Sequence, residues 1–178
     1  MANGLADNNN VNNVVTLASS GNTEVAGVYV HASTVPLQGA NISNVYQFGG
    51  GAPVKMAGAG VDTSPLVVTE VNVSNISSRN AQFGIQMIGF VIRFNVNNVR
   101  ATDPGSGRLV YMDGISRGYQ ITNVSGVYTN SNNDTTPAIA FFGTGSFDNI
   151  TVESPTVERV VQVPVAQLGN IRTGKVMG

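Results

Sequence analysis

The stretch "VNVSNISSRN", residues 71–80, sets Asn75 between Val73 and Ile76 inside a run that otherwise alternates like a strand. Asn is depleted in strands, so its placement needs a reason. The same arrangement, apolar-x-Asn-(Val or Ile), recurs along the chain. It occurs at Val11 to Val14, Ile42 to Val45, Val73 to Ile76, Val96 to Val99, Ile121 to Val124, Phe147 to Ile150 and Leu168 to Ile171. Its Asn is residue 13, 44, 75, 98, 123, 149 and 170, giving intervals of 31, 31, 23, 25, 26 and 21. Self-similarity at periods of roughly 20 to 50 residues signals a solenoid, a propeller or an array.

Between these positions lie short alternating apolar runs punctuated by Gly, Pro, Asn and Ser, with no sustained helical period. Phe83, Ile85 and Met87 alternate with polar or small residues, and after Gly89 the phase moves to Phe90, Ile92, Phe94 and Val96. A phase change at a glycine predicts a corner between two strands. Polar loops such as "ATDPGSG" and "TNSNNDTTP" vary in length while the motif persists, as insertions in a solenoid do. A sandwich supplies no reason for one Asn per repeat, and a propeller blade needs about 40 to 50 residues. The expected fold is all-β: a single-domain right-handed parallel β-helix of about seven irregular coils, its strands stacking at about 4.8 Å.

Asn tolerates left-handed backbone better than other non-glycine residues, and its amide carries both donors and an acceptor. Stacked at one corner, Asn13, Asn44, Asn75, Asn98, Asn123, Asn149 and Asn170 are expected to form a structural ladder. Asn75, Asn123 and Asn149 also fit the N-x-(Ser/Thr) acceptor pattern. A buried ladder amide could not carry a glycan, so the pattern carries little weight.

The 178 residues suit one domain, divided into a flexible polar arm at 1–10, the β-helix at 11–163 and a C-terminal cap or oligomer-contact segment at 164–178. Charged residues make up only 11% and the net charge is −1. The nine basic residues are scattered, which argues against nucleic acid and anionic membrane as partners. The polar surface comes instead from uncharged side chains, among them 21 Asn. There is no Cys, hence no disulfide and no thiolate metal site. The N-terminus lacks the pattern of a signal peptide, and the most apolar window, Phe83 to Val96, is broken by Gln86, Arg93 and Asn95. A soluble chain without membrane insertion is therefore expected.

His31 stands alone and reads as a strand side chain, so neither a zinc site nor a nucleophilic triad can be assembled. The Gly-rich pieces "FGGGAP", "MAGAGV" and "DPGSG" lack the Lys-Ser/Thr of a phosphate loop and read as turns. A glycosidase needs two carboxylates roughly 5 to 10 Å apart. Asp62, Glu70, Asp103, Asp113, Asp134, Glu153 and Glu158 share no common offset from the motif Asn. Calcium at Asp103 or Asp134 has one carboxylate per loop, too few for a site. No catalytic residue, metal or cofactor is predicted.

With irregular repeats, a corner Asn, low charge and polar loops, the chain resembles the right-handed β-helix proteins of bacteriophage tailspikes and their pectate-lyase-like relatives. The resemblance spans nearly the whole chain and rests on repeat style. It implies a homotrimer at a virion surface, on capsid or tail, with other virion proteins or bacterial surface polysaccharide as partners. The chain departs from a full tailspike in having no separate head-binding domain and no acidic pair to carry over. The expected function is a non-enzymatic virion attachment or decoration protein. A polysaccharide depolymerase (hydrolase or lyase) and a bacterial adhesin fragment are the alternatives.

Overall fold

A computed structural model describes residues 9–19, 22–58, 66–106, 108–129, 139–140, 143–153, 161–162 and 174–177. The described residues are all-β, with no helix. The strands are β1 (Asn9–Leu17), β2 (Ala26–His31), β3 (Leu37–Phe48), β4 (Ala52–Ala57), β5 (Val68–Arg79), β6 (Phe83–Ile92), β7 (Asn95–Thr102), β8 (Arg108–Val127), β9 (Ile139–Ala140), β10 (Gly143–Glu153), β11 (Val161–Gln162) and β12 (Gly174–Met177).

All pairings among the described residues are parallel, and most run in two series. One passes β1, β3, β5, β7, the C-terminal half of β8, β10 and β12. The other passes β2, β4, β6, the N-terminal half of β8, β9 and β11. A third, short line joins residues 37–38, 68–69, 91–92, 116–117 and 143–144. In the first series the register steps are 31 (Asn9 to Ala40), 31 (Ala40 to Val71), 23 (Asn72 to Asn95), 25 (Asn95 to Gln120) and 26 (Ile121 to Phe147). They equal the intervals between motif Asn residues. The last step differs: Ile150 pairs with Gly174, 24 residues on, where the motif interval is 21. Asn170 itself lies outside the described residues, as do Asp62, Asp134, Glu158, the polar arm up to residue 8 and most of the C-terminal segment.

Left-handed residues turn the chain, and they too stack. Asn13, Asn44, Asn75, Asn98 and Asn123 have φ of 58°, 55°, 55°, 60° and 52°. A second row is Gly39, Glu70, Arg93 and Gly118, and a third is Gly49, Asn80 and Asp103. At Asn44, Asn75, Asn98 and Asn123 the alternation resets, so that the apolar residues on both sides face the interior. Ile42 and Val45 are buried around Asn44, and Val73 and Ile76 around Asn75. In register these become two apolar columns, Ile42–Val73–Val96–Ile121 and Val45–Ile76–Val99–Val124, which Val11 and Val14 extend. The second series contributes Val30, Met56, Met87 and Met112. Methionine's unbranched chain fills the irregular space between strand layers. Full burial of each such side chain stabilises by about 1.5–3 kcal/mol.

The phase change expected at Gly89 lies elsewhere. Gly89 is left-handed, at φ 70°, yet burial continues with the same alternation through Met87 and Val91, leaving Phe90 and Ile92 half-buried. The reset falls at Arg93, φ 49°, after which Phe94 and Val96 are buried. The left-handed Arg93 stands between buried Val91 and Phe94 and shifts the parity there, whereas the left-handed Gly89 leaves it unchanged.

Phe94 and Tyr119, one register step apart, stack inside the core with ring centroids 5.4 Å apart. Burial holds the Tyr119 phenol above its ordinary value of 10.0. The folded chain therefore favours the neutral phenol; its contribution is complete below pH 10 and is lost as pH rises, because the unfolded chain ionises first. The urea midpoint is expected to fall above pH 10, and to fall less steeply in Tyr119→Phe.

Candidate functional site

Two surfaces carry polar chemistry. On the first strand series the motif amides form a row: Asn75 Nδ2 donates to Asn44 Oδ1 at 3.1 Å and Asn98 Nδ2 to Asn75 Oδ1 at 2.8 Å. Asn44 Nδ2 and Asn123 Nδ2 instead donate to the Oδ1 of Asn12 and Asn97, each at 2.8 Å. Asn13 has the same backbone conformation at the start of the row, and Asn149 lies in β10, where the register passes from Asp148 to Ile150. The side chains of Asn13, Asn44, Asn75, Asn98 and Asn123 are exposed, not buried as the sequence suggested. The left-handed turn directs them outward while their apolar neighbours point in. The amides of Asn75 and Asn123 are thus at the surface but committed to ladder bonds.

A second amide row, missed in the sequence, runs three residues ahead of the first. Asn41 donates to Asn10 at 3.1 Å, Asn72 to Asn41 at 3.0 Å and Asn95 to Asn72 at 2.9 Å. Its signal was present: an Asn precedes the motif Asn by three in the first four repeats, with Gln120 in the fifth.

The outer side of the second series holds a different set of groups. Tyr29, Lys55, Gln86 and Tyr111 occupy one register line across β2, β4, β6 and β8. The ends of that line lie three strand spacings apart, roughly 14 Å. At one end Tyr29, 52% exposed, stacks on His31 with centroids 5.1 Å apart and planes 11° from parallel. Lys55 Nζ sits 5.3 Å from the Tyr29 ring and 3.6 Å from Glu24 Oε2. At the other end Phe83 stacks on Tyr111 at 5.0 Å, and the Arg108 guanidinium lies 4.6 Å from the Tyr111 ring. Tyr111 OH donates to Asp113 Oδ2 at 3.0 Å. Burial, and then the carboxylate it bonds, raise its pKa; Arg108 opposes the shift. The phenol therefore stays a donor at neutral pH.

Each end thus combines a pair of near-parallel rings, a cation beside the ring and a carboxylate, and the buried Gln86 separates the two ends. Rings offer apolar faces, while the phenol, ammonium and carboxylate offer hydrogen bonds. His31, which the sequence leaves as an ordinary strand residue, belongs to this strip.

The carboxylates whose contacts are described do not share a site. Glu70 accepts from Gln38 Nε2 at 2.6 Å and lies 3.4 Å from Arg93. Asp103 accepts from the backbone N–H and the hydroxyl of Thr129 at 2.5 and 2.6 Å, joining successive strand ends. Glu24 and Asp113 belong to opposite ends of the aromatic strip, and Glu153 ends β10. Among the described residues no group of three His, Cys, Asp or Glu could hold a metal ion. No protein-family model, curated protein or solved structure matches the chain.

Proposed function

We propose that the chain winds as a right-handed parallel β-helix of about seven coils and acts as a non-enzymatic virion surface protein, holding glycan of the host surface on the strip from Tyr29 to Tyr111. The winding is supported by the two interleaved parallel series, in which each strand pairs with one from the next repeat. Stacking of left-handed residues at the turns supports it as well.

The observation that carries the binding reading is the strip of two stacked ring pairs with adjacent cations. A pyranose presents an apolar C–H face and a rim of hydroxyls. The first suits Tyr29 and the Phe83–Tyr111 pair; the second suits Lys55, Asp113 and the Tyr111 hydroxyl. Among the described residues the carboxylates of the strip, Glu24 and Asp113, stand at opposite ends, which favours holding over cleaving, since general acid and base must flank one bond.

Titration with purified capsular polysaccharide and lipopolysaccharide tests this. Tyr29→Ala and Tyr111→Ala should each weaken binding on the order of tenfold or more while the circular dichroism spectrum is retained. Unchanged affinity in both variants would remove the strip from the proposal. Release of reducing ends or unsaturated sugars would replace attachment by depolymerisation.

A further inference from the structure

β1 is the end of the first strand series, and among the described residues it pairs only with β3. Such an edge is normally blunted by charge, proline or a bulge. The C-terminal half of β1, Val14-Val15-Thr16-Leu17, has no charge and no proline, and three of its four residues are β-branched. Its outward side chains are the most exposed large apolar groups described, Val15 at 70% and Leu17 at 76%. One strand inward, in direct register, Tyr46 and Phe48 are 38% and 39% exposed. Those two are flanked on both sides; among the described residues Val15 and Leu17 have a register neighbour on one side only.

We infer that this half of β1 pairs antiparallel with the same segment of a second copy of this chain, about a two-fold axis at Thr16. The occupant follows from the alternation. Val15 and Leu17 point outward while Val14, Thr16 and Ala18 are half-buried on the interior side. Antiparallel pairing centred on Thr16 sets Val15 against Leu17 of the second copy, Leu17 against its Val15, and Val14 against its Ala18. Every residue then meets one on its own face, and the apolar surface of Val15, Leu17, Tyr46 and Phe48 becomes continuous across the axis. A pairing centred on Asn13 fails the same requirement, because it opposes outward Val15 to inward Val11. The interface is self-complementary and closes at two copies.

The chain has no cysteine, so Thr16→Cys introduces a single reporter at the axis. Cα atoms of facing residues in an antiparallel pair lie about 4.5–5.5 Å apart, within the range of roughly 4.4–6.8 Å that a disulfide spans. Mild oxidation of full-length Thr16→Cys should give a dimer cross-linked through the two introduced thiols, with no such product from Arg100→Cys on the same sheet. Sedimentation of the unsubstituted chain should show a concentration-dependent dimer. Leu17→Lys should raise its dissociation constant on the order of tenfold or more. A monomer at all concentrations overturns the inference. So does any assembly in which Thr16→Cys fails to cross-link, whether a dimer, a three-fold assembly or an open-ended polymer. Glycan binding by the strip is read separately and is unaffected by these outcomes.

Discussion

Phe94→Ala is expected to lower the free energy of unfolding by about 3–5 kcal/mol, the largest effect of any single truncation proposed for this chain. Phe94 is fully buried and heads the largest enclosed side chains. It stacks on Tyr119, and its carbonyl accepts from the Gln120 N–H at 3.0 Å, so the ring and its backbone tie neighbouring strand layers together. Removing the ring costs the transfer of the lost carbons and leaves a cavity that a rigid strand stack cannot collapse around. Phe94→Leu keeps more of the volume and should lose distinctly less. Urea unfolding followed by circular dichroism reads both. A shift below about 1 kcal/mol in the alanine variant is incompatible with a packed Phe94–Tyr119 stack.

At Asn75 two costs can be separated. The residue sits at φ 55°, donates to Asn44 and accepts from Asn98. Asn75→Val loses both side-chain bonds and forces a β-branched residue into the left-handed region. The bonds contribute about 0.5–1.5 kcal/mol each and the backbone about 1–2 kcal/mol, so a loss of about 2–5 kcal/mol is expected. Asn75→Gly loses the same bonds with no backbone penalty and should lose about 1–3 kcal/mol. The difference between the two urea midpoints isolates the backbone contribution. Equal losses would mean that the turn at Asn75 does not require a left-handed residue.

The repeat was legible because one residue type solves a demanding local problem. A left-handed position that keeps apolar residues inward on both sides selects Asn, and the intervals between successive Asn residues are the register steps of the sheet as far as β10. The other turning positions were not legible. Glu70 and Arg93 are left-handed too, yet nothing in their chemistry announces it. That is why the parity reset at Arg93 was assigned to the more conspicuous Gly89. The aromatic strip was hidden for another reason. Tyr29, Lys55, Gln86 and Tyr111 are far apart in sequence, and only register brings them into line; their own spacing carries no signal. Burial of the motif amides was misjudged because apolar neighbours on both sides suggest an interior site, whereas the left-handed turn exposes the residue between them.

The amide rows also have a direction. Among the described residues, side-chain bonds join neighbouring strands along the two rows and the position between them, and in nine of these the donor belongs to the later strand and the acceptor to the earlier one. Amide dipoles aligned in this way add head to tail, and each polarises the next. Rotating one amide in mid-row by half a turn sets oxygen against oxygen on one side and NH2 against NH2 on the other. Reversal at a single position is therefore unfavourable, and orientation becomes a property that the row shares. The surface array is an electrically oriented cable, with the donor end of its vector at β1.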